Sequence, residues 1–444
     1  MEFIGRAKEM GLLERDAQQG ASFTLLTGRR RVGKTRLIKE FLRGRTALYF
    51  LATAQNRARL LEDFSDSLTV LVGTAAFTYL ASLDREMFVA LDEFQNILNS
   101  DDGASSEFQY IWDEVLSGKR FHLILCGSHI SVLEGLCDDY GSPLYGRFTR
   151  RMVLQPLSFD EVRGEYYCAS VESYAVLGGV PRYMEMFDDG PLEQNLCEHV
   201  FESSSVLFNE PEVLLRGEVK SLSAYMSIMR GVANGNGRLS DIAGAVEIPS
   251  TTLGPYLRKL ISIRMLRRIV PVTEKDPESS KQALYVIGDN FTMFWFRFVY
   301  PYMSFLPMDN PLLALNALHA NFIDSHVSFV FEELCREAVS GMTEELGFVP
   351  EKVGSWWSGD TEVDVVAVND TEKVAFLGEC KYWDNRPVPH KVLTSLREKS
   401  ASIRKLDGYR LLFGLFSVTG FDESLLDESD VLLVDRGRVV RNTL

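Results

Sequence analysis

Phe23–Leu42 reads FTLLTGRRRVGKTRLIKEFL. A short apolar strand pattern runs into GxxxxGKT, and an amphipathic helical pattern follows. Phosphate binding needs that order. Gly28 and Gly33 let the loop turn so that its N–H groups point inward around a β-phosphate. The start of the helix adds its dipole. Lys34 is placed to reach the β- and γ-phosphates, and the Thr35 hydroxyl to bind Mg²⁺. A glycine-rich structural turn does not account for Lys-Thr at the helix start. The candidate nucleotide contacts here are Gly28, Arg29, Arg30, Arg31, Val32, Gly33, Lys34, Thr35 and Arg36, with ATP or ADP and Mg²⁺ as the expected ligands.

On either side of this stretch, Ser22–Leu26, Ala47–Leu51, Met87–Leu91 and Phe121–Cys126 read as buried strands. Helical stretches such as Arg36–Leu42 and Glu107–Leu116 lie between them, which predicts a parallel α/β sheet. In REMFVALDEFQ the apolar run Phe88–Leu91 ends in Asp92-Glu93. A carboxylate at the carboxyl end of a parallel strand sits where Mg²⁺ and phosphates meet. Asp92 is the candidate to hold Mg²⁺ through water, and Glu93 to polarise the attacking water. In FHLILCGSHISVL, Ser128 follows another buried strand and is a candidate γ-phosphate sensor, although a strand-ending Gly-Ser turn reads the same way. Arg147, in SPLYGRFTRR, is a candidate phosphate contact from the lid or a neighbouring subunit, and equally a surface arginine in a basic cluster.

FIGRAKEMGLL, GRRRVGKT, ALDEFQ, LCGSHISVL, SPLYGR and YAVLGGVPRY occur in this order over residues 2–210. Together they resemble the archaeal-type ATPases of the STAND group of AAA-like P-loop NTPases. The resemblance implies that Phe3–Arg6 lies over an adenine, and that Gly178–Pro181 belongs to a helical lid whose proline packs near the nucleotide. It adds Gly5, Arg6 and Pro181 as candidate contacts. It also implies a slow switch between ADP and ATP states. From the residues alone, Gly178–Pro181 is only a helix-to-turn junction.

Residues 216–290 change character. Asp241–Val246 and Thr252–Ile261 read as helices, and Leu266–Val272 and Ala283–Ile287 as strands around the polar tip TEKDPESSKQ, the outline of a winged helix-turn-helix. Arg216–Val270 holds nine Lys or Arg against three Asp or Glu, the footprint expected of a DNA-contacting module. A winged helix packed against its neighbours, with Arg258, Lys259, Arg267 and Arg268 turned to solvent or to an acidic partner domain, explains the same pattern.

The C-terminal part reads FVFEELCREAV, VGSWWSGDTEVDVVAVN and KVAFLGECKYWDN. The first is a helix with Glu332 at the edge of its apolar face, the second a strand carrying Asp364, the third a strand ending in Glu379-Cys380-Lys381. Strand alternation points Glu379 and Lys381 the same way and Cys380 into the core. Asp364 completes a carboxylate pair suited to Mg²⁺, with Lys381 stabilising charge or positioning water. From about Asn321 to Val434, with a helix, a GxWW turn, a strand, a hairpin and a strand, the chain resembles the PD-(D/E)xK nuclease-like fold. Glu362-Val363 stands where the proline of that name would be. The candidate nuclease residues are Asp364, Glu379, Lys381 and Glu332, with Asp364 and Glu379 as the metal pair. A nuclease fold kept for binding or assembly is the alternative.

With 444 residues the chain is too long for one core, and 46% hydrophobic with 25% charged residues is an ordinary globular composition. A net charge of −15 argues against a protein that coats nucleic acid with its whole surface. Six scattered cysteines without a CxxC pair imply neither zinc nor a disulfide framework. No stretch has the length and apolarity of a signal or a membrane span, and Arg297 interrupts the longest aromatic run, Phe291–Leu306, read as a buried helix. A cytoplasmic protein, without membrane partners and with a homo-oligomer as one option, is expected. The expected fold class is multidomain α/β. It comprises a P-loop ATPase core at 1–154, a helical lid at 155–212, a winged helix at 213–290, an aromatic connector at 291–320 and a restriction-endonuclease-like α/β domain at 321–444. The expected function is an ATP-hydrolysing switch gating a DNA-binding or DNA-cleaving domain. The rivals are a non-cleaving switch and a transcription regulator.

Overall fold

The computed structural model describes residues 3–54, 59, 74–82, 85–163, 165–166, 170–308, 310–383 and 385–439. Cys168 lies outside them, and the other five cysteines are free thiols. No described helix is long and apolar enough to cross a membrane. The chain divides into two compact units. The first is Met1–Leu157 with Gly179–Met186 and Val213–Lys220; the second is Ser158–Gly178, Phe187–Glu212 and Ser221–Leu444.

The first unit is a parallel-sheet α/β P-loop core. Its strands are β1 (Ser22–Thr27), β2 (Ala47–Leu51), β3 (Met87–Asp92), β4 (Phe121–Cys126) and β5 (Arg150–Val153), in spatial order β2-β3-β4-β1-β5. Every pairing is parallel. Alternation along the strands sorts their residues onto two faces. Leu26, Phe88, Ala90 and Ile124 pack with Leu37, Ile38 and Phe41 of the helix Lys34–Leu42. Phe23, Leu25, Val89, Leu91, Leu123 and Leu125 pack on the opposite side with Phe108 and Trp112. Burial on both faces is what makes these strands unbroken apolar runs. The carboxyl ends of β1, β3 and β4 share one edge of the sheet, which brings Gly28, Asp92 and Ser128 together although they are far apart in sequence.

The second unit opens with short helices. Leu222–Ala233, Leu239–Val246 and Ser250–Ser262 are followed by β6 (Leu266–Ile269) and β7 (Leu284–Ile287), an antiparallel pair shorter than the sequence suggests. The aromatic run is helical through Asn290–Val299, with Phe291, Phe294, Trp295, Phe296 and Phe298 buried and the indole of Trp295 donating to Phe208 O at 2.6 Å. The chain ends in an α/β domain of β8 (Lys352–Ser358), β9 (Thr361–Asn369), β10 (Val374–Lys381), β11 (Arg410–Ser417) and β12 (Val431–Asp435), in order β12-β11-β10-β9-β8. β9 pairs antiparallel with β8 and with β10, and β10, β11 and β12 are parallel to one another.

One expectation is corrected here. The GxWW segment is not a turn. Gly354–Trp357 lies inside β8, and the turn comes later, at Gly359-Asp360, where Gly359 has φ 60°. The stretch read as a single strand carrying Asp364 is therefore the hairpin β8–β9. A register shift lies between Gly354 and Trp356, and beyond it Trp356 and Trp357 alternate onto opposite faces of β8, both buried.

Candidate functional site

Gly28 leaves β1 with φ 149°, and a Cβ there would lie 2.6 Å from Leu154 O, so only glycine fits. Gly33 caps the helix Lys34–Leu42 with φ 94°, a second position that suits glycine alone. Lys34 is 6% exposed. Its ammonium donates to Gly28 O at 2.7 Å and Arg29 O at 2.8 Å, inside the loop that would surround a phosphate. Burial pulls its pKa below the ordinary lysine value, and the Glu93 and Asp92 carboxylates resist that pull.

Thr35 Oγ1 donates to Asp92 Oδ2 at 2.6 Å, across from the helix to the end of β3. Asp92 is 1% exposed. Its other oxygen accepts the N–H of Glu93 at 2.9 Å, and Glu93 turns out of the strand with φ 54°, a left-handed conformation that is costly for a residue with a Cβ. Ser128 Oγ donates to Glu93 Oε2 at 3.1 Å, and the Gln95 amide donates to the same oxygen.

Lys34, Thr35, Glu93 and Ser128 open on a cleft of about 1280 Å³ lined also by Phe3, Arg30, Arg31, Gly33, Arg36, Lys39, Pro181 and others. That volume is ample for a nucleotide. Pro181 begins a short helix, and its Cγ is 3.8 Å from where a Cβ on Gly33 would be. Arg6, buried and with φ 65°, donates to Val32 O at 2.9 Å and braces the loop from behind; Gly5 beside it has φ 64°. Val32 itself points into the core, so only its backbone is available to a ligand. Arg29 reaches Tyr183 OH at 3.3 Å, and Arg36 pairs with Glu185 at 3.1 Å.

Arg147 is not brought to this cleft. Its guanidinium pairs with Asp113 at 2.9 Å and donates to Pro143 O at 2.8 Å. The reading of the sequence also missed three residues. Tyr49 OH donates to Asp92 Oδ2 at 2.8 Å, Gln95 grips Glu93, and Glu218 accepts from Ile130 N at 2.9 Å and Ser131 Oγ at 2.8 Å. Only for Tyr49 was there a signal, a polar-tipped side chain in a strand next to the one that ends in Asp92.

The second unit holds an acidic cluster. Asp364 Oδ2 accepts the N–H of Cys380 at 2.8 Å. The Lys381 ammonium lies 2.9 Å from Glu379 Oε2 and 3.9 Å from Asp364 Oδ2, between the two carboxylates. Lys399, on the helix His390–Ser400, reaches the other oxygen of Glu379. Burial and the nearby Glu379 push the Asp364 carboxyl up, and burial and the nearby Asp364 push Glu332 up. Arg336 holds Glu332 at 3.6 Å and donates to Asp364 O at 2.7 Å. Among the described residues no group of three or more His, Cys, Asp or Glu side chains is arranged to hold a metal ion.

The β6–β7 hairpin is fastened to the same domain. Val272 N donates to Ser355 O at 2.9 Å, the Trp357 indole to Gln282 O at 3.1 Å, and Lys405 pairs with Glu274. Arg267 pairs with Glu333, and Arg268 donates to the loop carbonyls of Glu278 and Ser280. Arg258 stays exposed on Ser250–Ser262.

Residues 21–163 match the family described as AAA domain, and residues 295–398 match a family described as "Archaea bacterial proteins of unknown function". Over residues 21–163 the first unit is thus similar to AAA domains, on a parallel-sheet P-loop fold. The uncharacterized protein MJECL04 of Methanocaldococcus jannaschii is 28% identical over 445 residues, covering 98% of this chain and 99% of that protein. Among solved structures, the Walker-type ATPase paby2304 of Pyrococcus abyssi aligns at 20% identity with a TM-score of 0.49, covering 66% of this chain and 96% of that one. The Aeropyrum pernix ORC2 protein aligns at 16% identity with a TM-score of 0.44, covering 72% and 96%.

Proposed function

We propose that the chain binds ATP with Mg²⁺, hydrolyses it as a STAND-type switch, and uses the nucleotide state to gate DNA binding or cleavage by its C-terminal α/β domain. The observation that carries this reading is the convergence of Lys34, Thr35, Asp92, Glu93 and Ser128 on one sheet edge beside a cleft of nucleotide size. In this reading residues 155–212 serve as the lid and residues 213–290 as a winged helix.

The residues fit the metal. Thr35 and Asp92 present hard oxygen donors already 2.6 Å apart, and these two would hold Mg²⁺, which supplies neutralisation of phosphate charge. Lys34 exchanges its two carbonyl acceptors for the β- and γ-phosphate oxygens. Backbone N–H groups from Gly28 to Gly33 donate to the β-phosphate, and Arg6 keeps the loop in that shape through Val32 O. Glu93, once released by Ser128 and Gln95, takes the proton of the attacking water, and the freed Ser128 hydroxyl turns to the γ-phosphate. Arg147, held by Asp113 away from its own cleft, acts on phosphate only from a neighbouring copy.

In the C-terminal domain, Asp364 and Glu379 would hold a divalent cation that activates water for phosphodiester cleavage. The Lys381 ammonium now sits between the two carboxylates, as a cation would, which supports that fit. The same geometry also favours a second reading. Glu379 is satisfied by two lysines at once and Glu332 is held by Arg336, as in a domain that binds without cleaving.

The test is phosphate release from ATP, together with cleavage of labelled single- and double-stranded DNA with Mg²⁺ or Mn²⁺, with and without ATP. Wild type is compared with Lys34→Ala, Asp364→Ala and Lys381→Ala. Cleavage lost in Lys381→Ala and changed by Lys34→Ala supports the gated nuclease. Hydrolysis of ATP without cleavage under any condition selects the binding switch. A wild type that releases no phosphate removes the ATPase reading.

A further inference from the structure

Asp92 has about four lone-pair sites on its two oxygens. Among the donors that reach them are Glu93 N–H on Oδ1 at 2.9 Å, Thr35 Oγ1 at 2.6 Å and Tyr49 OH at 2.8 Å on Oδ2, with the buried Cys126 thiol also against the carboxylate. The donors differ in what they can do when a nucleotide enters. The Glu93 amide is fixed by the backbone. The Thr35 hydroxyl must also turn a lone pair toward the metal. The Tyr49 phenol has no partner in the ligand and need not move.

Tyr49 is itself held. It stands on β2, beside β3, with its Cα paired to that of Ala90. The Lys39 ammonium, from the helix that begins with Lys34, lies 4.9 Å from its ring centroid. That contact fixes the ring against the helix whose first turn carries Thr35. The phenol thus ties the phosphate-loop helix and the β3 carboxylate to one point.

We propose that Tyr49 is a positioning residue for the Mg²⁺ of the bound nucleotide. It fixes the rotation of the Asp92 carboxylate, so that the carboxylate is held in one orientation toward the metal's water shell. The inference rests on the ATP-binding reading and adds to it a residue that no phosphate-loop pattern contains. Outer-shell hydrogen bonds of this kind are commonly worth about 10–100-fold in metal affinity.

The test is calorimetric titration of ADP into the full chain, first with a chelator and then at increasing Mg²⁺, for wild type and Tyr49→Phe. The phenyl ring keeps the packing and removes only the donor. Metal-free ADP should bind both chains equally, whereas the Mg²⁺ needed to strengthen binding should rise about tenfold in Tyr49→Phe. Equal Mg²⁺ dependence in the two chains overturns the proposal, as does an equal loss of ADP affinity with and without metal, which marks a structural role. Should Tyr49→Phe fail to fold, Lys39→Met frees the ring while keeping the phenol. Its Mg²⁺ requirement should shift in the same direction and by less, and no shift overturns the proposal. A wild type that binds no ADP in either condition overturns the nucleotide reading and this inference with it.

Discussion

Ser128 Oγ donates to Glu93 Oε2 at 3.1 Å, joining the ends of β4 and β3 through the two groups expected to act on the γ-phosphate. The Gln95 amide donates to the same carboxylate oxygen. Glu93→Gln keeps the shape and the contact with Ser128 but cannot take a proton. Hydrolysis should fall about 100-fold or more, the usual contribution of a general base, while ADP and ATP still bind. Phosphate release and nucleotide titration on the same preparation check this. A matching loss of affinity would show that Glu93 holds the loop together and does not act on water.

Glu218 belongs to the segment Val213–Lys220, which the chain returns to the first unit between two stretches of the second. Its carboxylate takes the N–H of Ile130 and the hydroxyl of Ser131 at the start of the helix Ile130–Asp138, two residues after Ser128. The helix has no side-chain cap of its own, since the His129 side chain accepts none of its N–H groups. Glu218→Ala should cost about 0.5–2 kcal/mol, as the loss of a helix cap does. Hydrogen exchange localises the effect. The Ile130 amide should lose protection while the amides of β1 and β4 keep theirs. Unchanged exchange at Ile130 would mean that water replaces the carboxylate without loss.

The acidic cluster makes a prediction about pH. Asp364 and Glu332 carry pKa values raised by burial and by like charge, so the folded chain holds their protons more tightly than the unfolded chain. Across the window upward from the unfolded carboxyl value, about 4, the folded state binds the excess protons and stability falls as pH rises. Asp364→Asn removes the charge and keeps an acceptor for Cys380 N–H. It should raise the thermal midpoint in mildly alkaline buffer by roughly 2 °C and leave it unchanged in acid. Mg²⁺ should recover the same amount in wild type and nothing in the variant. Equal midpoints at both pH values would show that Lys381 already balances the site.

What was readable in the sequence followed from two regularities. Buried parallel strands are continuous apolar runs, so β1 to β4 stood out, and a phosphate loop has few alternatives in sequence. β5 did not stand out, because RRMV turns Arg150 to Asp16 and Arg151 to Asp138 and buries only Met152 fully. The GxWW segment, read as a turn, misled for a different reason. Adjacent tryptophans break the period-two alternation by which a half-buried strand is recognised, and β8 buries both of them, one on each face. Tyr49, Gln95 and Glu218 act through partners distant in the chain or across a turn, and spacing alone does not reveal such pairs.

The basic stretch Arg216–Val270 suggested DNA contact by charge, but the charges are not equally available. Arg267 pairs with Glu333, and Arg268 is spent on the carbonyls of its own hairpin loop, which is fastened to β8 through Val272 and Trp357. Arg258 projects from Ser250–Ser262, among the exposed Thr251, Thr252 and Pro255. If this element contacts DNA, the helix makes the contact and the hairpin does not. Arg258→Ala should then weaken duplex binding and lower the slope of log affinity against log salt by about 1, the signature of one lost phosphate contact. Arg268→Ala should leave both unchanged and show its cost as a lower thermal midpoint. Fluorescence anisotropy over a salt series, with melting curves alongside, separates the two. An Arg268→Ala chain that melts like wild type but binds as weakly as Arg258→Ala would mean that the hairpin leaves β8 to reach the duplex. A wild type with no affinity for duplex at low salt would assign the basic stretch to contacts within the protein.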